Sequence, residues 1–169
     1  MFPGTVFSED RKYRYSLYRE WDIKKPRIAF IGLNPSTADE HVDDPTIRRC
    51  IDFAKKWGFG SMLMGNIFAF RSTDPELLFK VTNPEGVGND YWLDKIQMAS
   101  DKTVACWGIH GEFKDRGYHV RLNLTADRTK PHNARNALYV FGITKEGYPK
   151  HPLYLRKTSK IIRWEMLTL

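Results

Sequence analysis

Pro26-Arg27-Ile28-Ala29-Phe30-Ile31-Gly32-Leu33-Asn34-Pro35-Ser36-Thr37-Ala38-Asp39 decides how this chain folds. Ile28 to Leu33 is a short, nearly unbroken apolar run, and it stops abruptly at Asn34-Pro35-Ser36-Thr37. A strand covered on both faces reads this way, and a parallel strand inside an α/β sheet is such a strand. In open α/β sheets ligands bind just beyond the carboxyl ends of the strands. Asn34 and its neighbours are therefore expected at the floor of a site.

The rest of the chain alternates around that strand. Thr5-Val6-Phe7 and Tyr13 to Trp21 flank a polar turn, Ser8 to Lys12, and suggest an N-terminal hairpin over about residues 5–21. After an acidic loop, Asp44 suits a helix N-cap and Pro45 the first helical position. Ile47, Cys50, Ile51, Ala54 and Trp57 then repeat at helical spacing, and Gly58 ends the stripe. Met62 to Ile67 reads as the second strand, with a short helix from Asp74-Pro75 and a longer one from Asn89 or Asp90. Thr103 to Trp107 and Ala137 to Ile143 read as the third and fourth strands, with a helix from Glu112 to Tyr118 or beyond between them. The tail, Lys157 to Leu167, suggests a last helix. Strands alternating with helices predict a three-layer α/β/α sandwich with a mainly parallel four-stranded sheet, in one domain over 1–169.

Composition narrows the class. Hydrophobic residues make up 41% of the 169 and charged residues 28%, as in soluble globular proteins. No apolar run approaches the roughly 18 residues needed to span a bilayer, and Met1-Phe2-Pro3-Gly4 has no signal-peptide pattern, so a cytoplasmic protein without a membrane partner is expected. Cys50 and Cys106 are expected as buried free thiols. The charge of +7 is uneven: residues 114–169 carry 12 Lys and Arg against 4 Asp and Glu, whereas the first 113 carry 15 against 16. A basic final third suits a polyanion such as nucleic acid, and equally a solvated face without a partner.

In a parallel sheet the strand ends meet on one edge. They carry Asn34-Pro35-Ser36, Asn66 with Phe68, Trp107-Gly108-Ile109-His110, and Lys145 with His151-Pro152. Aromatic faces, amides and an imidazole in one pocket suit a planar base. Arg48 and Arg49 open a helix, where cations are mildly unfavourable, which points to an anion held there or to plain exposed arginines. The Asp39–Asp44 run would suit Mg or Mn only at a spacing it does not show, so no metal or cofactor is expected. Phosphate-loop and hydrolase-elbow motifs are absent from the sequence.

Gly32-Leu33-Asn34-Pro35-Ser36, Gly65-Asn66, Val104-Ala105-Cys106-Trp107-Gly108 and His151-Pro152 resemble motifs of the uracil-DNA glycosylase superfamily. More closely, the whole pattern resembles an uncharacterised bacterial and phage family, domain of unknown function 1643. Ile31 to Asp39, Asp44 to Arg49, Arg71 to Pro75, Trp107 to Gly111 and His151 to Tyr154 carry that likeness. The glycosylase resemblance implies a uracil-DNA glycosylase-like fold and hydrolysis of an N-glycosidic bond in DNA, RNA or a nucleotide. Asn34 would position water and His151 would stabilise the departing base; because an amide takes no proton as a carboxylate does, activation of that water would be feeble unless Asp39 or Asp44 reaches in. Asn66 would read the base edge, Phe68 or Trp107 would stack, Leu153 would wedge and Lys145 would hold a phosphate. Gly32, Pro35, Ser36, Gly108 and His110 would complete the wall. Departures from the pattern, an amide at 34 and Leu153-Tyr154 after His-Pro, keep a non-catalytic binding module open as the alternative.

Overall fold

The computed structural model describes residues 4–125 and 137–164. Seven strands form one mixed sheet: β1 (Val6–Phe7), β2 (Arg14–Glu20), β3 (Arg27–Gly32), β4 (Ser61–Asn66), β5 (Lys102–Ala105), β6 (Leu138–Val140) and β7 (Ile162–Arg163). Their spatial order is β1-β2-β4-β3-β5-β6-β7. β3 runs parallel to β4 and β5, and β5 parallel to β6, whereas β2 meets β4, and β7 meets β6, antiparallel. β4, β3, β5 and β6 are the parallel centre of this sheet, and the antiparallel β2 and β7 extend it into a larger mixed sheet than the four strands expected. The N-terminal hairpin pairs β1 with β2 and then joins the main sheet, because β2 has backbone groups to satisfy on its β4 side.

β3 explains its own sequence. Ile28 and Phe30 point to one face with Ile47, Cys50, Phe53 and Ala54 of α1 (Pro45–Lys56). Ala29 and Ile31 point to the other, with Leu93 and Ile96 of α2 (Asn89–Met98) and Val120 and Leu124 of α3 (Arg116–Thr125). Both faces are apolar because both are covered by helices. One helix thus packs on one side of the sheet and two on the other.

α1 starts as its sequence dictates. The Asp44 carboxylate accepts the Ile47 N–H at 2.8 Å, and Pro45 takes the first turn where its missing donor costs nothing. The tail does not continue as a helix over the described residues. Ile162 and Arg163 pair with Val140 and Tyr139, satisfying the outer edge of β6, and Trp164 packs its ring 5.7 Å from that of Trp107. The polar, basic stretch from Thr125 to Asn136 reads from the sequence as irregular, and after Thr125 it lies outside the described residues, as does the tail from 165. Cys50 and Cys106 are free and buried, and burial pushes the Cys106 thiol up to about 12. Among the described residues no helix is long and apolar enough to cross a membrane.

Candidate functional site

Register puts the ends of β3, β4 and β5 side by side. Gly32 pairs with Asn66 and Ile31 with Ala105, so Asn34, Asn66 and Trp107 emerge close to one another. Pairing continues past the strands, with the Ile67 N–H donating to Gly32 O and the Phe68 N–H to Leu33 O, both at 2.9 Å. Beyond these ends lies a cavity of about 480 Å³. Of the expected site residues, Gly32, Asn34, Ser36, Asp44, Asn66, Trp107, Gly108, His110, His151 and Leu153 line it.

His151 arrives from a distance. After β6 the chain turns at Thr144–Tyr148, bridges Ile143 to Pro149, and is tied to the end of β5 by the Gly108 N–H donating to Pro149 O at 2.9 Å. Gly108 sits at φ +73°, which a side chain rarely adopts, and so the loop after β5 can turn beside His151. The Leu153 N–H donates to His151 Nδ1 at 3.3 Å. The neutral imidazole therefore carries its proton on Nε2, leaving a donor for the cavity. Burial lowers the His151 pKa from 6.5, with the nearby Asp44 charge opposing part of the shift.

The two asparagines offer opposite chemistry. Asn34 Nδ2 donates to Ser72 O at 2.9 Å and Pro35 O at 3.1 Å, so its remaining offer is the acceptor Oδ1. Asn66, 1% exposed, accepts at Oδ1 from Arg14 Nη2 at 3.2 Å. Its Nδ2 has no hydrogen-bond partner among the described residues, so it is the donor end that is free for a ligand. Gly32 is required beside it, since a Cβ there would lie 2.9 Å from that Nδ2 and 2.8 Å from Met64 Cε.

Other expected site residues lie elsewhere. Asp39 accepts from the His41 and Val42 N–H groups, both at 2.8 Å, and these bonds hold its carboxyl below the usual range in a loop off the cavity. Asp44 is thus the carboxylate that faces the site. Phe68 is fully buried among core side chains, with its ring 5.7 Å from that of Phe113. Pro35 is buried, and its carbonyl accepts the Ser72 N–H at 2.8 Å. Arg48 donates to Asp43 O and Arg49 to Leu155 O, each holding a loop instead of facing the cavity. Lys145 is exposed in the Thr144–Tyr148 turn. Trp107, 2% exposed, is a packed wall. Among the described residues no three His, Cys, Asp or Glu side chains are grouped to hold a metal ion.

The cavity also contains Arg14, which sequence reasoning did not single out, and Thr46, Ser72, Thr73, Ile109 and Tyr154, which it read only as parts of longer motifs. Arg14 had one signal. It shares the strand parity of Ser16, and both are buried polar residues on β2.

Fold and site together define an α/β protein with a largely apolar cavity, carrying a few placed polar side chains, at the carboxyl edge of its parallel strands. The chain matches the family described as "Protein of unknown function (DUF1643)" over residues 14–153, and it belongs to that family. No curated protein and no solved structure matches it.

Proposed function

We propose that this cavity recognises a nucleobase, presented in a nucleotide or nucleic acid, and hydrolyses its N-glycosidic bond. The observation that carries the reading is the grouping of Asn34, Asn66, Asp44 and His151 around one cavity of about 480 Å³, a volume within the range of small-molecule sites. The likeness of Asn34-Pro35, Gly65-Asn66 and His151-Pro152 to glycosylase motifs supports the same chemistry.

Each group has a role suited to its atoms. Asn66 Nδ2 donates to an acceptor on the base edge. Asn34 Oδ1 accepts from the attacking water and orients it toward the sugar carbon, while Asp44 takes the proton that water loses. The new bond forms from the water oxygen to that carbon, and the electron pair of the breaking C–N bond passes to the base. His151, neutral with its proton on Nε2, hydrogen-bonds the developing anion. Trp107 supplies an apolar wall, and Leu153 with the 86%-exposed Tyr154 forms the rim.

Purified protein is expected to release free base from at least one member of a panel of deaminated or alkylated oligonucleotides and nucleotides. Asn34→Ala and His151→Ala should each lower that release about 100-fold, the scale of positioned acid–base and hydrogen-bond contributions. Release that neither variant lowers would refute the roles. A second reading, recognition without cleavage, draws on Asn34 being an amide whose donors are already engaged. Nucleotide binding with no release across the panel would select it.

A further inference from the structure

Arg14 contributes to the cavity wall, is 2% exposed, and has no carboxylate within ion-pair distance among the described residues. Its hydrogen bonds go to neutral acceptors: Nη1 donates to Ala38 O at 2.9 Å and Nη2 to Asn66 Oδ1 at 3.2 Å. Nε is buried with no partner. A guanidinium has five donor protons, so a majority of them are uncommitted. Burial lowers its pKa only to about 10, so the charge persists at neutral pH.

The charged neighbours do not cancel it. Asp44 is the carboxylate acting on Arg14, at longer range, and one of its oxygens already accepts the Ile47 N–H. Arg71 and Arg19 add charge of the same sign, and Arg19 is itself paired with Asp43 at 2.8 Å. A buried cation is costly unless an opposite charge answers it, and guanidinium suits oxyanions through paired N–H donors. Other groups on the wall point the same way. The first residues of α1, Thr46 and Ile47, line the cavity at the positive end of a 12-residue helix. Ser36, Thr46 and Thr73 bring hydroxyls to the wall.

We propose that the Arg14 end of the cavity is an oxyanion subsite, where Arg14 and Asn66 Nδ2 bind a phosphate or carboxylate group of the ligand. This deepens the nucleobase reading by giving the ligand a charge, yet it rests on the unanswered guanidinium and not on glycosidic cleavage. Asn66 Nδ2 would then serve the charged group or a base edge beside it.

Calorimetric titration at constant ionic strength compares a nucleoside, its 5′-monophosphate, a free base, the same base bearing a carboxylate, and inorganic phosphate. The monophosphate or the carboxylated base is expected to bind at least about tenfold more tightly than its uncharged counterpart, and whichever does so identifies the source of the anion. Arg14→Gln should abolish that preference and Arg14→Lys should keep part of it. If Arg14→Gln does not fold, the wild-type comparison still decides, together with the Thr46→Val variant, which should weaken only the charged ligand. Uncharged and charged ligands binding equally to the wild type, or a preference surviving in folded Arg14→Gln, would overturn the subsite. Nucleoside binding without an anion preference would leave the nucleobase reading standing. Arg14-dependent phosphate binding without any nucleoside or base binding would leave the subsite standing and remove the nucleobase.

Discussion

His151 shows how one side chain's surroundings set what it can do. Its Nδ1 is engaged by the Leu153 N–H and its ring is half-buried, so the neutral Nε2–H form is favoured. Burial depresses the folded pKa below 6.5, which places the window for its protonation on the acid side of an ordinary histidine. Base release should therefore hold as pH falls to 6.5 and decline only below it, and an acid limb above 6.5 would contradict this. The sign for stability agrees. The depressed pKa favours the folded state above 6.5, and the contribution is lost as pH falls through the folded value. His151→Gln should flatten that acid-side loss of melting temperature. From sequence, His151 was visible as a residue beside Pro152, whereas its tautomer depends on the turn at Pro152–Tyr154, which only the fold supplies.

At the scale of elements, α1 links stability to the site. Asp44 both caps the helix and faces the cavity, so Asp44→Asn, which keeps a capping oxygen, should cost only a few tenths of a kcal/mol. Asp44→Ala should cost about 1 kcal/mol of unfolding free energy by denaturant titration. Both variants should lose base release, and equal activity in Asp44→Asn would remove Asp44 as the proton acceptor. β3, α1 and the Asp44 cap were legible in sequence, because burial on two faces and N-cap chemistry leave local signatures. Arg48 and Arg49 were not, since their carbonyl partners, Asp43 and Leu155, are set by loop packing. Nor was the tail, where Ile162 and Arg163 are claimed by the open edge of β6. Arg14 was hidden among aromatic residues of β2, and its burial comes from the neighbouring strand and the loop carrying Ala38.

At the scale of the molecule, the anionic ligand proposed from the buried Arg14 is a separate question from the basic final third of the chain, which suits a polyanion and a solvated face equally. If that third meets a nucleic acid, affinity for a single strand should fall with salt at a log–log slope of about −0.7 per phosphate contacted. A flat salt dependence would leave those residues as a solvated face. The core makes a separate prediction. Cys50 and Cys106 are buried with thiols shifted away from the reactive thiolate, so both should resist a thiol reagent in the native state and react on unfolding. Sheet order explains why site residues so far apart in sequence meet, because parallel neighbours deliver their carboxyl ends to one edge. That edge was legible from Asn34, Asn66 and His151. Phe68 looked equally well placed, but its backbone pairs with Leu33 and turns the ring into the core.

The most direct test of the central claim is a crystal structure of the protein soaked with a set of free bases and nucleotides. A planar base is expected in the cavity between Asn66 Nδ2 and His151 Nε2, with a charged group, where the ligand has one, toward Arg14. Binding of every base and nucleotide outside this cavity, or of none of them, would contradict it.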